Sequence, residues 1–146
     1  MKRIESKQLY RLGFISALTL AGCLYFALGC AQASSKAEIS RGGLATYYTT
    51  KSCQREGTSG VYTANGETYQ EAGLTCALPS HAFGGRYQVC RSDDPSRCVI
   101  VRHNDYGPGK GPRARGVVVD LTPTDFAMLY PLRVGKGAVT VQRVGE

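Results

Sequence analysis

The feature that most constrains this chain is a series of short apolar or aromatic runs separated by Gly, Asn, Asp and Pro. The series begins at Gly42 and continues to the end of the sequence. Such spacing is typical of small closed β structures. It predicts a mainly β fold with six strands, at 44–48, 74–78, 86–90, 98–103, 117–121 and 138–144.

One segment departs from this pattern and predicts a single short helix. Thr122 suits the N-cap, Pro123 suits the first helical position, and Asp125 either returns a capping-box bond or faces the helix dipole. The apolar residues 126–129 follow, and Pro131 ends the helix.

Cysteine parity predicts two disulfides. Four cysteines lie beyond residue 33, an even number that suits an oxidising compartment. The strands at 86–90 and 98–103 flank the turn-forming segment 92–96, so a hairpin would pair Cys90 with Cys98. Elimination then pairs Cys53 with Cys76, although four cysteines allow three connectivities. No CxxC pair or histidine cluster accompanies them, so neither a metal nor another cofactor is expected.

The first 33 residues predict an export signal rather than a folded segment. A basic start precedes an apolar stretch, and three processing sites stay open: a lipobox that lipidates Cys23, a poorer one at Cys30, or cleavage after Ala33. An uncut segment at 12–30 would be about long enough to span a membrane. Residues 34–41 are expected to form a tether and 42–146 the folded domain. All alternatives place the domain outside the cytoplasm, as a periplasmic lipoprotein or a secreted protein.

Charge gives weaker information about partners. The whole chain carries a formal +7, but residues 34–146 hold 14 Lys and Arg against 10 Asp and Glu, which leaves +4. This mild positive charge suits an anionic wall polymer or a phospholipid surface. Nucleic acid is not an expected partner of an exported domain with disulfides, and a monomer is expected.

Three carboxylates lie next to turn-forming residues. Asp105 ends an apolar strand before a Gly-Pro turn, Asp120 follows three valines, and Glu67 follows Asn-Gly. Carboxylates presented in this way are the usual groups for glycosidic-bond chemistry, where an acid protonates a leaving oxygen. Each also has a structural alternative: Asp105 as a turn aspartate, Asp120 as a brace for the Thr122 turn, and Glu67 as a solvated turn residue.

The ordered motifs of the chain resemble the rare lipoprotein A (RlpA) family over residues 43–144. They are GLATYY at 43–48, TANGE at 63–67, LT at 74–75, FG at 83–84, NDYGP at 104–108 and VDLT at 119–122. The resemblance implies a six-stranded double-psi β-barrel, a fold shared with expansins and barwin-like proteins. It also implies a lytic transglycosylase that cuts the glycan strands of peptidoglycan, with Asp105 as the catalytic aspartate, Glu67 in the groove and Asp120 on the sugar-facing surface.

The chain departs from the family pattern in two places. Leu78 stands where the family often has histidine, and His81 lies three residues later. The usual Trp-Tyr-Gly is Tyr-Tyr-Thr at 47–49, followed by an insertion that contains Cys53 and is similar to the barwin branch.

Aromatic residues supply the expected sugar contacts. Tyr48, Tyr106 and His81 are the candidates for substrate binding, because flat rings stack on sugars. Side chains alternate along a strand, so only one of Tyr47 and Tyr48 should face the groove. His103 is expected to be a structural histidine.

The sequence is compatible with three functions. The first is a transglycosylase in which Asp105 acts as both acid and base, and this role requires a raised pKa. The loop cations Lys110, Arg113 and Arg115 oppose that role if they point at Asp105 and can meet anionic wall polymers if they point outward. The second is a non-catalytic, expansin-like module that binds wall glycans. The third is a secreted inhibitor or effector, indicated by the barwin-like cysteines.

Overall fold

The computed structural model describes residues 40–57 and 60–145. The predicted signal, lipidation at Cys23 and the tether up to residue 39 lie outside these residues. The elements in chain order are β1 Arg41–Tyr47, α1 Thr50–Arg55, β2 Thr75–Leu78, β3 Arg86–Arg91, β4 Cys98–Tyr106, α2 Lys110–Ala114, β5 Val117–Leu121, α3 Pro123–Leu129, a 3-10 turn Leu132–Val134, and β6 Gly137–Gly145.

The described strands close into a six-stranded barrel in the order β1-β5-β2-β4-β3-β6. The β1–β5 and β2–β4 pairs are parallel, and the other four pairs are antiparallel. Closure leaves no long unpaired strand edge in a small domain. The predicted mainly β, six-stranded barrel is confirmed.

The barrel core follows the alternation of the strand side chains. In β5, Val117, Val119 and Leu121 are buried, while the intervening side chains are half-buried. Helix α3 adds Phe126 and Leu129, both without solvent exposure, to the same core. Burying side chains of this size stabilises the fold by roughly 1.5–3 kcal/mol each.

Each of the two parallel strand pairs contains a bulge, in which one strand has one residue more than its partner. In the β2–β4 pair, Cys76 aligns with His103 but Ala77 aligns with Asp105, so Asn104 is the additional residue. In the β1–β5 pair, the additional residue is Val118. Such bulges change which face of the sheet the following side chains occupy. An aspartate follows each bulge closely.

The predicted helix is present as α3, with Thr122 as its N-cap and Pro123 in its first turn. The Thr122 hydroxyl accepts a hydrogen bond from the Asp125 backbone N–H at 3.2 Å. The expectation of a single helix is wrong, because the segment after β1 and the segment after Pro108 each form a short helix, α1 and α2. Neither has a buried residue, so apolar periodicity could not predict them. Among the described residues, no helix has the length and apolar character needed to cross a membrane.

The structure corrects the predicted disulfide pattern. Cys90 and Cys98 face each other across the β3–β4 hairpin and form a disulfide, as predicted. The predicted bond between Cys53 and Cys76 is wrong, because these two residues are not joined. Cys76 belongs to the barrel core, where burial raises the pKa of its thiol, whereas Cys53 is a half-buried residue of α1. Elimination counts cysteines but does not consider which way each side chain faces.

Candidate active site

A cleft of about 340 Å³ opens between β2, β4, β5, helix α1 and the segment that follows α1. It contains two aspartates, one glutamate and several tyrosines. Its lining residues are Tyr48, Cys53, Glu56, Gly60, Tyr62, Thr63, Ala64, Tyr69, Ala77, Asp105, Tyr106, Gly107, Gly109 and Asp120.

The strand register brings the two aspartates to opposite sides of one residue. Ala77 of β2 is paired with Asp105 of β4 on one side and with Asp120 of β5 on the other. Adjacent strands lie about 4.8 Å apart, so the two aspartate Cα atoms are separated by roughly 10 Å. Ala77 is buried, and the Gly107 backbone lies close to both Ala77 and Asp120. Two carboxyl groups on one cleft floor can divide proton donation and proton acceptance between them.

Asp105 is held by two backbone N–H groups. Its Oδ1 accepts hydrogen bonds from the N–H of Ala64 at 2.9 Å and from the N–H of Tyr106 at 2.8 Å. Asp105 therefore bonds its own loop through Tyr106, as the turn-aspartate alternative expects, and also a distant segment through Ala64. The side chain is half-buried and lines the cleft.

Asp120 is the cleft carboxyl group with a raised pKa. Burial raises its pKa from 3.8 to about 6, and the charges of Glu56 and Asp105 act in the same direction. The Thr46 hydroxyl donates a hydrogen bond to Asp120 Oδ1, which opposes the rise. A Cβ on Gly107 would lie 3.1 Å from Asp120 Oδ2, so glycine permits the close approach of the Gly-Pro turn. Asp120 is therefore partly protonated near pH 6.

Glu67 does not line the cleft, because Arg102 binds it. The guanidinium donates to Oε1 at 2.8 Å and to Oε2 at 2.6 Å. Asn65 and Asn104 add hydrogen bonds of 2.8 and 3.0 Å. The Arg102 hydrogen bond, followed by those of the two asparagines, lowers the pKa of Glu67 to about 2. Its role in a groove stays a prediction, and the structure gives it an ion-pair environment instead.

Of the two adjacent tyrosines, one faces the cleft. Tyr47 packs on Phe126 with ring centroids 5.1 Å apart, next to the core. Tyr48 lines the cleft and packs on Tyr69 at 4.8 Å. Its hydroxyl is buried, and burial, followed by the Asp105 charge, raises the pKa of the phenol.

Tyr106 and His81 form a stacked pair at the cleft. Their ring centroids lie 4.5 Å apart with an interplanar angle of 9°. Tyr106 lines the cleft and is 44% exposed, whereas His81 does not line it and supports the other face of the Tyr106 ring. The sequence-predicted contacts Tyr48 and Tyr106 thus lie at the cleft, and His81 reaches it through Tyr106.

The basic residues near the cleft do not contact the aspartates. Lys110, Arg113 and Arg115 are exposed on or just after α2, and in the described part of the chain none of them forms an ion pair with Asp105. His103 is buried, with its ring nitrogens 3.2 and 3.0 Å from backbone carbonyl oxygens, which is the structural role predicted for it. Residues 40–57 and 60–145 contain no group of three or more metal-ligating side chains.

Several residues of the site were not predicted from the sequence. Glu56 and Cys53 reach the cleft through α1, and Ala64 takes part through its backbone. Arg102 shows no motif of its own, although its alternation with the buried Val101 and His103 indicates a side chain on the outer face of β4.

Comparison with known proteins supports a family assignment for the barrel. No protein-family model matches the chain. A probable endolytic peptidoglycan transglycosylase RlpA from Nostoc sp. is 31% identical over 113 residues, which is 77% of this chain and 28% of that relative, so the chain spans under a third of its length. The Streptomyces papain inhibitor (SPI) matches with a TM-score of 0.54 and 23% identity, over 73% of this chain and 94% of the inhibitor, and shows the fold alone. The resemblance to the rare lipoprotein A family is therefore confirmed, and the barrel is RlpA-like.

Proposed function

We propose that the barrel cleaves peptidoglycan glycan strands as a lytic transglycosylase. The observation that carries this proposal is the placement of Asp105 and Asp120 on either side of Ala77 in one cleft. The named activity of the Nostoc relative supports the substrate class. The proposed setting is outside the cytoplasm, with the chain as a monomer. Membrane attachment through a lipid on Cys23 or through an uncut N-terminal segment remains part of the proposal.

The reaction requires two proton transfers. One group protonates the glycosidic oxygen as its bond to C1 of muramic acid breaks. The 6-hydroxyl oxygen of the same sugar then closes on C1, and its proton passes to a carboxylate. The product is an anhydromuramic end, and no water is consumed. A hydrolase would instead need a water and a base that activates it.

The structure favours a division of these two steps between the aspartates. Asp120 is the proton donor, because burial brings its pKa to about 6 and a protonated population is therefore present near neutral pH. Asp105 is the proton acceptor, because its carboxylate lines the same cleft and is oriented by two backbone N–H groups. The sequence-based prediction gave both steps to Asp105. The two schemes differ in what they expect of Asp120 variants.

Tyrosines around the aspartates provide the proposed sugar contacts. Tyr106 presents an exposed ring backed by His81, and Tyr48 and Tyr62 line the cleft from other directions. Aromatic faces of this kind stack on the apolar faces of sugars and bury them at low entropic cost. The glycan would therefore lie across the cleft floor, with the scissile oxygen near Asp120.

We also propose that the barrel has double-psi topology. The two parallel pairs, β1–β5 and β2–β4, support it, as does the bulge that each of them contains. The register of β1 against β5 shifts after Leu44, and the register of β2 against β4 shifts after Cys76. A pseudo-symmetric barrel of two interlocked halves accounts for this repetition.

The test is digestion of purified peptidoglycan glycans, with and without stem peptides, followed by mass spectrometry of the products. We expect anhydromuramic ends from the wild type and a loss of at least ~100-fold in rate in both Asp105→Asn and Asp120→Asn. Asp94→Asn, in the β3–β4 turn, is the matched control and should retain wild-type rates. If Asp120→Asn keeps its activity while Asp105→Asn does not, Asp105 performs both steps alone.

A binding module remains the alternative, favoured by the exposed aromatic pair Tyr106 and His81. A module binds wall glycans without breaking bonds. Co-sedimentation of the wild type with insoluble peptidoglycan, without any new anhydromuramic or reducing ends, would establish it and exclude the transglycosylase.

A further inference from the structure

We propose that Arg102 is a positioning residue: by binding Glu67 it fixes the turn at residues 63–67, so that the Ala64 N–H meets the Asp105 carboxylate. The inference deepens the proposed function and rests on it for its catalytic consequence. Its structural consequence, an oriented Asp105, can be measured without any substrate.

Arg102 binds the carboxylate of Glu67 through both of its oxygens. Both carboxylate oxygens accept from the Arg102 guanidinium, at 2.8 and 2.6 Å, and each accepts one further hydrogen bond, from Asn65 or Asn104. The planar guanidinium donates two parallel hydrogen bonds to the carboxylate, an arrangement called a fork here, and so fixes its orientation as well as its distance. The ammonium group of a lysine cannot do this. Because the ion pair is about 40% exposed, its main contribution is geometry rather than stability.

The turn that ends at Glu67 is closed by its own backbone hydrogen bonds. The Thr63 N–H donates to the Glu67 carbonyl at 2.8 Å, and the Gly66 N–H donates to the Thr63 carbonyl at 2.9 Å. Gly66 has a φ of 89°, a conformation that favours glycine. Tyr62 and Thr68 bridge just outside it. The turn is thus closed on itself and moves as one unit when Glu67 moves.

Two further hydrogen bonds attach this turn to β4 at the cleft. The Asn65 N–H donates to the Asn104 carbonyl at 3.2 Å, and the Ala64 N–H donates to Asp105 Oδ1 at 2.9 Å. Arg102, Asn104 and Asp105 are on the same strand, so the ion pair and the site carboxylate share one rigid support. A turn released from Arg102 would leave Asp105 with one backbone N–H from its own neighbour, Tyr106.

The experiment uses full-length protein with four variants. Arg102→Met removes the fork but keeps a long side chain, Arg102→Lys keeps the charge without the fork, and Glu67→Gln tests the same bond from the other side. Arg91→Met is the matched control, because Arg91 forms the other bidentate ion pair of the described residues, with Asp93. For each, nitrogen-15 NMR follows the exchange rate and pH titration of the Ala64 amide, and assays give kcat and KM.

We expect Arg102→Met and Glu67→Gln to speed exchange of the Ala64 amide at least ~10-fold and to remove its response to Asp105 titration. We expect kcat to fall about 100-fold with KM little changed, since a misplacement of about 1 Å has that effect. Arg102→Lys should recover part of both losses, and Arg91→Met should behave as the wild type.

The outcomes separate the two proposals. Folded Arg102→Met and Glu67→Gln variants whose Ala64 amide exchanges and titrates as in the wild type would overturn the positioning role, whatever their activity. A wild type that forms no anhydromuramic ends, combined with an altered Ala64 amide in the variants, would overturn the proposed function and support the positioning of Asp105. Should Arg102→Met fail to fold, Glu67→Gln decides the matter alone.

Discussion

The raised pKa of Asp120 predicts that an inactivating substitution will stabilise the protein at neutral pH. The folded-state pKa of about 6 lies about two pH units above the unfolded value of 3.8. At ~1.4 kcal/mol per unit, this difference corresponds to about 3 kcal/mol of folding free energy. The contribution is fully present below about pH 3.8 and is lost as the pH rises to about 6, above which a charge is buried in the cleft.

Asp120→Asn removes this dependence because asparagine does not titrate. Between pH 4 and pH 8 the wild type should lose about 2.5 kcal/mol more than the variant in its free energy of unfolding. Other titrating groups, including the buried Asp125, occur in both proteins and cancel in the comparison. Since the chain has no tryptophan, urea unfolding is best followed by far-ultraviolet circular dichroism. Stabilisation with loss of activity is the expected signature of a buried site acid.

Asp94→Asn, a substitution in the β3–β4 turn, should show the wild-type pH dependence. Equal losses of stability in the wild type and Asp120→Asn, to within about 0.5 kcal/mol, would show that Asp120 does not carry a raised pKa. The proton-donor role would then lose its physical basis.

Three further predictions concern the pH dependence of activity, the packing around Gly137 and the Cys90–Cys98 disulfide. If the site acid has a pKa of about 6, kcat should fall as the pH rises through 6, which a pH-rate profile will show. Gly137→Ala should lower the free energy of unfolding by about 1–3 kcal/mol, because a Cβ at this position would lie 2.2 Å from the Tyr130 ring. Gly42→Ala is the control and should have little effect, because a Cβ there meets no atom within 4 Å. The midpoints of urea unfolding compare the two variants. Replacing Cys90 and Cys98 together by alanine should cost about 2.5 kcal/mol from the short loop they close, measured by thermal unfolding.

The strands were predictable because each is short, alternating and followed by turn residues. All six appear within a few residues of their predicted positions, and β5 matches at both ends. Helices α1 and α2 could not be predicted in the same way, since neither buries a side chain. A local signal existed at α1, where Thr49 and Ser52 form a reciprocal capping box that uses serine in place of the usual Glu or Gln.

The sequence predicted which residues belong to the site better than it predicted their roles. Asp105 and Asp120 were identified by position, and the structure places both in one cleft. Their unequal environments depend on tertiary burial and on Thr46, which is remote in sequence. The pairing of Glu67 with Arg102 depends on the register of a turn against β4, and a sequence motif does not contain that information.

The bulge at Asn104 decides which way the Asp105 side chain faces. Val99, Val101 and His103 face the interior in strict alternation, and unbroken alternation would place Asp105 inward as well. Because Asn104 is the additional residue, Asp105 is instead paired with Ala77 and lines the cleft. A one-residue slip that paired Ala77 with Asn104 would direct the Asp105 carboxylate into the apolar interior, whereas deletion of Asn104 would keep Asp105 opposite Ala77. Variation at this strand should therefore remove the bulge residue more readily than it shifts the register between β2 and β4.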